Sequence, residues 1–271
     1  MPELPEVETT RRGLVPHVVG QRIRDVVVRN ANLRWPVPRD LRRHLKGERV
    51  DAIRRRGKYL LFDLDKGHLL VHLGMSGKLS LVAEDAPART HDHVDVQLED
   101  HRTLRLTDPR RFGAMLWLDE GAERHALLSG LGLEPLDAEF TAEAMRKLAH
   151  GRRVAIKQFL MNGRVVTGVG NIYASEALWE ARVHPMRAAG SLSLERWRRL
   201  VAAVRKTLEQ ALAAGGSTLR DYAQASGDAG RAQLHHKVYG REGKPCPRCR
   251  AKIRAIRQGQ RSTFYCPGCQ R

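Results

Sequence analysis

Four cysteines near the C-terminus form the clearest chemical pattern in the sequence. They are spaced as two Cys-x2-Cys pairs with sixteen residues between the pairs: Cys246, Cys249, Cys266 and Cys269. Each pair presents two thiolates from one turn, and the intervening residues suffice for a hairpin, so the spacing predicts one tetrahedral zinc ion. Four thiolates leave no coordination position for water, so this zinc is expected to be structural. Two disulfides are the alternative, which a reducing intracellular environment disfavours.

A second candidate for chemistry lies at the start of the chain, MPELPEVE. Removal of Met1 is expected because proline is small, and it would leave Pro2 with a free secondary amine. An α-amino group has a pKa of about 7.7 to 8.0, so a useful fraction is neutral and nucleophilic near neutral pH. Glu3 and Glu6 supply carboxylates that could move protons beside this amine. The structural alternative is a helix that starts at Pro5 with acidic residues in its first turn.

The charge of the chain indicates an anionic partner. Its 271 residues carry 48 Lys and Arg against 30 Asp and Glu, a net charge of +18 that is typical of nucleic-acid binding. Half of this excess lies in residues 237–271, which contain ten Lys or Arg and one Glu. The residues between the cysteine pairs would form a cationic hairpin for phosphate contact, with a merely solvated hairpin as the alternative; its cations are Arg250, Lys252, Arg254, Arg257 and Arg261.

Hydrophobic periodicity divides the chain into a β part and an α part. Short runs rich in Val, Ile and Leu recur from Arg22 to Leu118, with turn signals at residues 65–67 and 99–100, which predicts a β-sandwich or barrel-like domain. From about Leu131 the period is helical. Thr141 and Ser193 are predicted helix caps, and the helix after Ser193 is expected to end at residues 215–216. Residues 223–233 have the composition of a loop or linker.

Membrane partners and secretion are disfavoured. No apolar run approaches the roughly 18 to 20 residues that cross a bilayer, and no helix combines a basic face with an aromatic or leucine-rich one. The first eight residues contain three glutamates and two prolines in place of a signal peptide, so we expect a soluble intracellular protein.

Seven sequence blocks together carry a family resemblance. They are PELPEVETTRRGL, RRGKYLLF, HLGMSGKL, HDHVD, TDPRRFGAM, GVGNIYASEALW and the four-cysteine ribbon with QRSTFYC. In this order the chain resembles bacterial formamidopyrimidine-DNA glycosylases over nearly its whole length. The resemblance implies an α+β multidomain fold: an N-terminal catalytic β-sandwich over 1–131, a helical domain with a helix-two-turn-helix and a lesion-capping loop over 132–236, and a zinc ribbon over 237–271. DNA would lie in the cleft between the two main parts.

The resemblance also implies the activity and its residues. The enzyme would excise oxidised purines such as 8-oxoguanine and formamidopyrimidines from duplex DNA and then cut the strand by β,δ-elimination. Pro2 would attack C1′ and form an iminium, with Glu3 as its acid and base. Lys58 would be the general acid of β-elimination, and Arg261 would act in δ-elimination as a phosphate clamp. Without the resemblance, Lys58 is one member of a solvated basic cluster.

DNA contacts follow from the same resemblance. The family positions for backbone binding are occupied by His91, Arg110 and Arg152. In GVGN, Gly168 and Gly170 free the backbone at a helix N-terminus where amides and the Asn171 side chain can hold a phosphate. Met75, Arg110 and Phe112 would fill the gap left by the everted nucleotide, since chemistry at C1′ requires eversion. On pattern alone, Met75 and Phe112 are equally typical of core residues.

Two features bear on specificity. Related endonuclease VIII enzymes typically begin Pro-Glu-Gly-Pro-Glu, so Leu4 favours the oxidised-purine branch. Many family members have an aromatic pair before a glutamine in the loop over the extruded base, whereas this chain has GRAQ at 230–233. Arg231 or backbone amides are the predicted substitutes, and Gln233 is the matching glutamine.

The alternatives are an endonuclease VIII-like glycosylase that prefers oxidised pyrimidines, and a non-catalytic DNA-binding protein. The expected partner is damaged double-stranded DNA, and the expected cofactor is one structural zinc with no organic cofactor. A monomer in the cytoplasm, associated with the nucleoid, is expected.

Overall fold

The computed structural model describes residues 2–119, 121–215 and 236–271. Described residues up to 129 form one compact unit, and residues 130–214 with 236–271 form a second. Among the described residues, no helix is both long and apolar enough to cross a membrane.

The first unit is built from two four-stranded antiparallel sheets. One sheet has the strand order β1-β6-β7-β5 and the other β2-β3-β4-β8. The strands are β1 (Ile23–Val28), β2 (Val50–Arg56), β3 (Tyr59–Leu64), β4 (Gly67–His72), β5 (Lys78–Ala83), β6 (Asp92–Leu98), β7 (Arg102–Thr107) and β8 (Ala114–Leu118). The predicted turns at residues 65–67 and 99–100 are confirmed, because they join β3 to β4 and β6 to β7.

The apolar residues of both sheets meet in one core. Val26, Leu60, Val94 and Leu106 are all almost fully buried in it. Helices α1 (Leu4–Val18) and α2 (Leu41–Leu45) contribute further residues such as Leu14. This arrangement confirms the predicted N-terminal β-sandwich, since each sheet buries one face against the same core.

The second unit combines helices with a small hairpin. Its helices are α3 (Ala142–Ala149), α4 (Ile156–Leu160), α5 (Asn171–Glu180) and α6 (Leu194–Ala213), and its strands are β9 (Arg254–Gln258) and β10 (Arg261–Tyr265). Both predicted helix caps are confirmed: Thr141 Oγ1 accepts a hydrogen bond from Ala144 N at 3.1 Å, and Ser193 Oγ from Arg196 N at 3.3 Å. Gly215, with φ of +78°, follows α6 as predicted.

The hairpin packs onto the helices through a shared core. Trp179 at the end of α5 lies with Val238, Ile253 and two of the cysteines in one buried cluster. The guanidinium of Arg248 stacks 4.1 Å from the Trp179 ring centroid and also donates to the Trp179 carbonyl. The cysteine-bearing segment is therefore held in register with α5 by apolar packing as well as by hydrogen bonds.

Candidate active site

The N-terminal residues form the rigid start of α1. Glu3 is the N-cap and is only 1% exposed, and its backbone N–H donates to Glu6 Oε2 at 2.9 Å. Pro5 occupies the second helical position, so the helix begins one residue earlier than the sequence predicted. Pro2 precedes the cap and is partly exposed. The capping interaction therefore fixes the backbone beside Pro2.

A buried ion cluster ties α1 to the turn that carries Lys58. Glu8 accepts hydrogen bonds from Arg11, Arg12 and Arg55, the last at 3.3 Å. Burial acts to raise the pKa of Glu8, but the hydrogen bonds from Arg11 and Arg12 and the charges of Arg11 and Arg55 outweigh it, so the pKa is lowered. Arg55 also donates to the Gly57 carbonyl at 3.0 Å. A single guanidinium thus connects the first helix with the residue before Lys58.

Lys58 lies in a two-residue hairpin turn. Arg56 of β2 pairs with Tyr59 of β3, so Gly57 and Lys58 alone form the connection. Gly57 has φ of +58°, which suits the first central position of a type II′ turn. Lys58 is partly exposed at this turn. Its backbone position is therefore set by the strand pairing.

The imidazole of His72 lies close to Lys58. Burial, together with the positive charges of Lys58 and Arg34, lowers the pKa of His72 to about 4. His72 Nδ1 accepts from Gly74 N at 3.1 Å, and its ring lies 4.7 Å from that of Tyr59. His72 is therefore neutral near pH 7, with the proton on Nε2. The sequence pattern did not indicate a role for His72, although this residue begins the HLGMSGKL block.

Met75, Arg110 and Phe112 are brought together by two loops. Met75 and Phe112 are each 39% exposed, so neither is a core residue. The Arg110 guanidinium lies 4.8 Å from the Phe112 ring centroid. Gly74, with φ of +61°, lies so close to Phe112 that a Cβ there would be 2.4 Å from its carbonyl carbon. The two loops are therefore in direct backbone contact.

The predicted residue Asn171 lies in a hydrogen-bonded group in the helical unit. Lys157 is buried, and its Nζ donates to Asn171 Oδ1 at 2.7 Å, to Thr263 Oγ1 at 2.7 Å and to the Ser262 carbonyl at 3.2 Å. Asn171 Nδ2 donates to the same carbonyl at 3.1 Å. Gly170 is the N-cap of α5, as GVGN predicted, but the Asn171 side chain is engaged with the hairpin. Lys157 was missed, although a lysine within VAIKQFL indicates a buried cation.

The remaining predicted cations are surface residues. Arg261 is exposed and begins β10, directly after the two-residue turn Gly259-Gln260. Gly259 has φ of +62°, so this turn has the same glycine-first form as the turn at Lys58. Arg152 follows α3 and His91 precedes β6, and both are exposed. The GRAQ segment, with Arg231 and Gln233, lies outside the described residues.

The four cysteines fit a zinc ion. Their Sγ atoms all lie within 4.8 Å of one another, with separations of 3.8 Å between Cys246 and Cys269 and 3.3 Å between Cys249 and Cys266. A tetrahedral ion with Zn–S bonds of about 2.3 Å places its sulfurs about 3.8 Å apart. These separations are too long for disulfide bonds. The indole of Trp179 donates to Cys246 Sγ at 3.4 Å, which orients one ligand. The four thiolates hold one structural zinc.

Glu176 is a further residue that the sequence analysis missed. It lies on α5 and is 8% exposed, and its carboxylate accepts from three successive backbone amides, those of Lys237, Val238 and Tyr239, at 2.8 to 3.0 Å. A glutamate inside the apolar run NIYASEALW is the signal that could have found it. This carboxylate fixes the chain where it enters the cysteine-bearing segment.

Three sequence models match successive parts of the chain. The formamidopyrimidine-DNA glycosylase N-terminal domain matches residues 1–115, the formamidopyrimidine-DNA glycosylase H2TH domain matches 131–223, and the zinc finger found in FPG and IleRS matches 243–271. Formamidopyrimidine-DNA glycosylases of Methylococcus capsulatus and Thioalkalivibrio sulfidiphilus are each 54% identical over 271 residues, with both chains fully covered.

Solved structures give the same result. A complex of Lactococcus lactis Fpg with DNA containing an abasic site is 34% identical, with a TM-score of 0.91 and 99% of each chain covered. A complex of the Lactococcus lactis protein with DNA containing FAPY-dG has a TM-score of 0.90 at 33% identity, covering 99% of this chain and 100% of the other. The Thermus thermophilus MutM (FPG) protein is 42% identical, with a TM-score of 0.88 and coverage of 99% and 98%.

The fold and the zinc site, with these matches, define a DNA glycosylase of base-excision repair. The chain belongs to the formamidopyrimidine-DNA glycosylase family, in which the glycosylase is combined with an AP lyase. The endonuclease VIII-like and non-catalytic alternatives are not favoured.

Proposed function

We propose that this chain excises oxidised purines, including 8-oxoguanine and formamidopyrimidines, from duplex DNA and cleaves the resulting abasic site by β,δ-elimination. The observation that carries the proposal is the capped start of α1, where Glu3 is buried beside Pro2 and Arg55 links the same helix to the Lys58 turn. Complexes of similar proteins with FAPY-dG and abasic DNA support the choice of substrate.

Pro2 is the proposed nucleophile. With Met1 removed, its nitrogen lone pair forms a bond to C1′ of the everted nucleotide while the bond from C1′ to the base breaks. The electron pair of that bond leaves with the base, which takes up a proton. The amine then loses its N–H proton, and its lone pair forms the C1′=N bond of the iminium while the C1′–O4′ bond breaks and O4′ takes up a proton. Glu3 is the proposed carrier of protons to the leaving base or the sugar oxygen.

Lys58 and Arg261 are proposed for the elimination steps. Lys58 acts as the general acid of β-elimination, and its place on a paired hairpin turn favours a fixed approach to the DNA. A guanidinium is a poor proton donor but binds phosphate well, so Arg261 serves as a phosphate clamp that stabilises the departing negative charge in δ-elimination.

The proposed DNA contacts come from both units. Three exposed basic residues are suited to contact phosphates: His91, Arg110 and Arg152. Asn171 is proposed to act at the backbone as well, with its side chain oriented by Lys157. Met75, Arg110 and Phe112 are proposed to fill the gap left by the everted nucleotide, which their exposure and mutual contact support.

The partner, the assembly and the location are proposals of the same kind. Damaged double-stranded DNA is the proposed partner, and the net charge of +18 supports it. We propose that the protein acts as a monomer in the cytoplasm, associated with the nucleoid. The lesion-capping loop and the three-domain division at 131 and 236 remain predictions.

Borohydride trapping tests the proposed mechanism. The zinc-loaded full chain should be trapped covalently on a duplex with 8-oxoguanine opposite cytosine, and a chain that keeps Met1 should not be trapped. Asp51→Asn serves as the control because Asp51 is exposed and pairs only at the surface with Arg49, at 2.7 Å. Trapping by a chain whose Met1 is intact by mass spectrometry would show that Pro2 is not the nucleophile. Faster cleavage of thymine glycol than of 8-oxoguanine would contradict the substrate class.

A further inference from the structure

Asp108 lies where three segments with proposed DNA contacts meet. It follows β7 and is fully buried, although it belongs to a surface loop. Its backbone N–H donates to the His91 carbonyl at 2.9 Å, and its own carbonyl lies 2.8 Å from His93 Nε2. The main chain of Asp108 is therefore anchored to the start of β6.

The carboxylate of Asp108 joins the two loops that carry Met75 and Phe112. Asp108 Oδ1 accepts from Ser76 Oγ at 2.9 Å, and Oδ2 accepts from Gly113 N at 2.8 Å. Arg110 N lies 3.3 Å from Oδ1 and 3.2 Å from Ser76 Oγ, so the two side chains share this amide. One buried carboxylate thus bonds to the residue after Met75 and to the residue after Phe112.

The side chains held in this way are poorly supported by packing. Met75 and Phe112 are each 39% exposed, so the core does not determine their positions. Unstacking a base step costs a few kcal/mol, so a loop that can be displaced at a smaller energetic cost would not keep the gap open. Hydrogen bonds to a charged acceptor are stronger than neutral ones, so a buried carboxylate is suited to stiffen both loops.

We propose that Asp108 is a positioning residue that holds Met75, Arg110 and Phe112 in the arrangement that fills the gap left by the everted nucleotide. The inference rests on the proposed function and adds a residue to it. Asp108 touches neither the substrate nor the reacting atoms in this role. It acts through Ser76 and through the backbone of the loop that follows it.

Asp108→Asn is the direct test. The amide can accept at one oxygen only. Its NH2 group can donate to the Ser76 hydroxyl but must then face the Arg110 N–H, and in the other orientation it faces the Gly113 N–H, so in either case one backbone N–H of the loop after Asp108 loses its carboxylate acceptor. Ser76→Ala is a milder variant that keeps the buried charge and removes one bond to the Met75 loop. Asp51→Asn changes the net charge equally at an exposed site and serves as the control.

Three measurements separate positioning from general damage. Single-turnover excision of 8-oxoguanine from a duplex reports the whole reaction, and the fluorescence of 2-aminopurine beside the lesion reports filling of the gap. Borohydride trapping on a single-stranded abasic oligonucleotide reports Pro2 chemistry without a base stack. For Asp108→Asn we expect excision and the fluorescence change to slow by about 10- to 100-fold, with trapping within about twofold of wild type. Ser76→Ala should show a smaller change of the same pattern.

Two results overturn the inference. In the first, the rates of excision and of fluorescence change in Asp108→Asn and Ser76→Ala equal those of Asp51→Asn. In the second, trapping falls by the same factor as excision. If Asp108→Asn does not fold, Ser76→Ala decides between the same outcomes. A wild-type chain that neither excises 8-oxoguanine nor is trapped would remove the proposed function, and this inference would fall with it.

Discussion

Glu176 offers a quantitative test of how the cysteine-bearing segment is held. Its Oε1 accepts from Val238 N at 3.0 Å and Tyr239 N at 2.8 Å, and its Oε2 accepts from Lys237 N at 2.8 Å. Val238 is fully buried in the same core as two zinc ligands. Loss of this carboxylate should therefore weaken the docking of the segment onto α5.

The expected magnitude follows from the number of bonds. A hydrogen bond to a charged group contributes about 1.5 to 3 kcal/mol. Glu176→Gln can keep both bonds to Oε1 but turns an NH2 group toward the Lys237 amide, so we expect a loss of about 2 kcal/mol. Glu176→Ala removes all three acceptors, so we expect about 4 to 6 kcal/mol. At roughly 2 to 4 °C per kcal/mol, Glu176→Gln should lower Tm by about 4 to 8 °C.

The assay is thermal unfolding of the zinc-loaded protein together with the rate of zinc transfer to a chelator. Glu195→Gln is the matched control, since Glu195 lies exposed on α6 and its ion pair with Arg199 is long, at 3.9 Å. We expect this control to lie within about 0.5 kcal/mol of wild type. The reasoning is refuted if Glu176→Ala matches the control both in Tm and in zinc release.

Three further predictions concern the metal, a histidine and a buried lysine. Removal of zinc should unfold residues 237–271, because metal binding is coupled to folding; unchanged amide exchange in β9 and β10 would contradict this. The folded-state pKa of His72, about 4, lies below its unfolded value of about 6.5, so the unfolded chain binds the proton first. The stability that neutral His72 contributes, up to about 3 kcal/mol, is present above pH 6.5 and is lost as the pH falls towards 4. Urea titrations should therefore show a smaller fall in the free energy of unfolding at acid pH for His72→Gln than for wild type. Lys157→Met should lower stability by about 2 to 3 kcal/mol and weaken DNA binding, because Asn171 and Thr263 lose their shared partner; unfolding and DNA titrations at one salt concentration would measure both.

The sequence predicted the elements whose pattern is regular. The β-rich part from Arg22 to Leu118 and the capped helices α3 and α6 were predicted, because period and cap chemistry are local properties. Strand β2 carries Asp51 and three successive arginines from Arg54, so its polar residues obscure the two buried ones, Val50 and Ile53.

The site was predicted unevenly for a physical reason. The cysteine spacing alone indicates zinc, whereas Lys58 and Pro2 needed the family resemblance because a lone lysine or proline has many uses. Asp108 and Glu176 escaped because they accept from other segments, Asp108 from the Ser76 hydroxyl and Glu176 from backbone amides of residues 237–239, and such partners are set by tertiary structure. Glu3 was selected for chemistry, yet its second role as the N-cap of α1 became visible only with the helix boundary.

The two glycine-first turns make the chain intolerant of length changes at two points. Gly57-Lys58 and Gly259-Gln260 each connect strands paired up to the turn itself. One added residue would either bulge out of the hairpin or shift the strand register by one. A shift by one residue exchanges the two faces of a strand, and in β3 it would turn Phe62 out of the core. An exposed turn residue such as Gln260 can vary by substitution, but the spacing of the turn cannot. An insertion scan should therefore find a closely bounded intolerant point at each of these two turns.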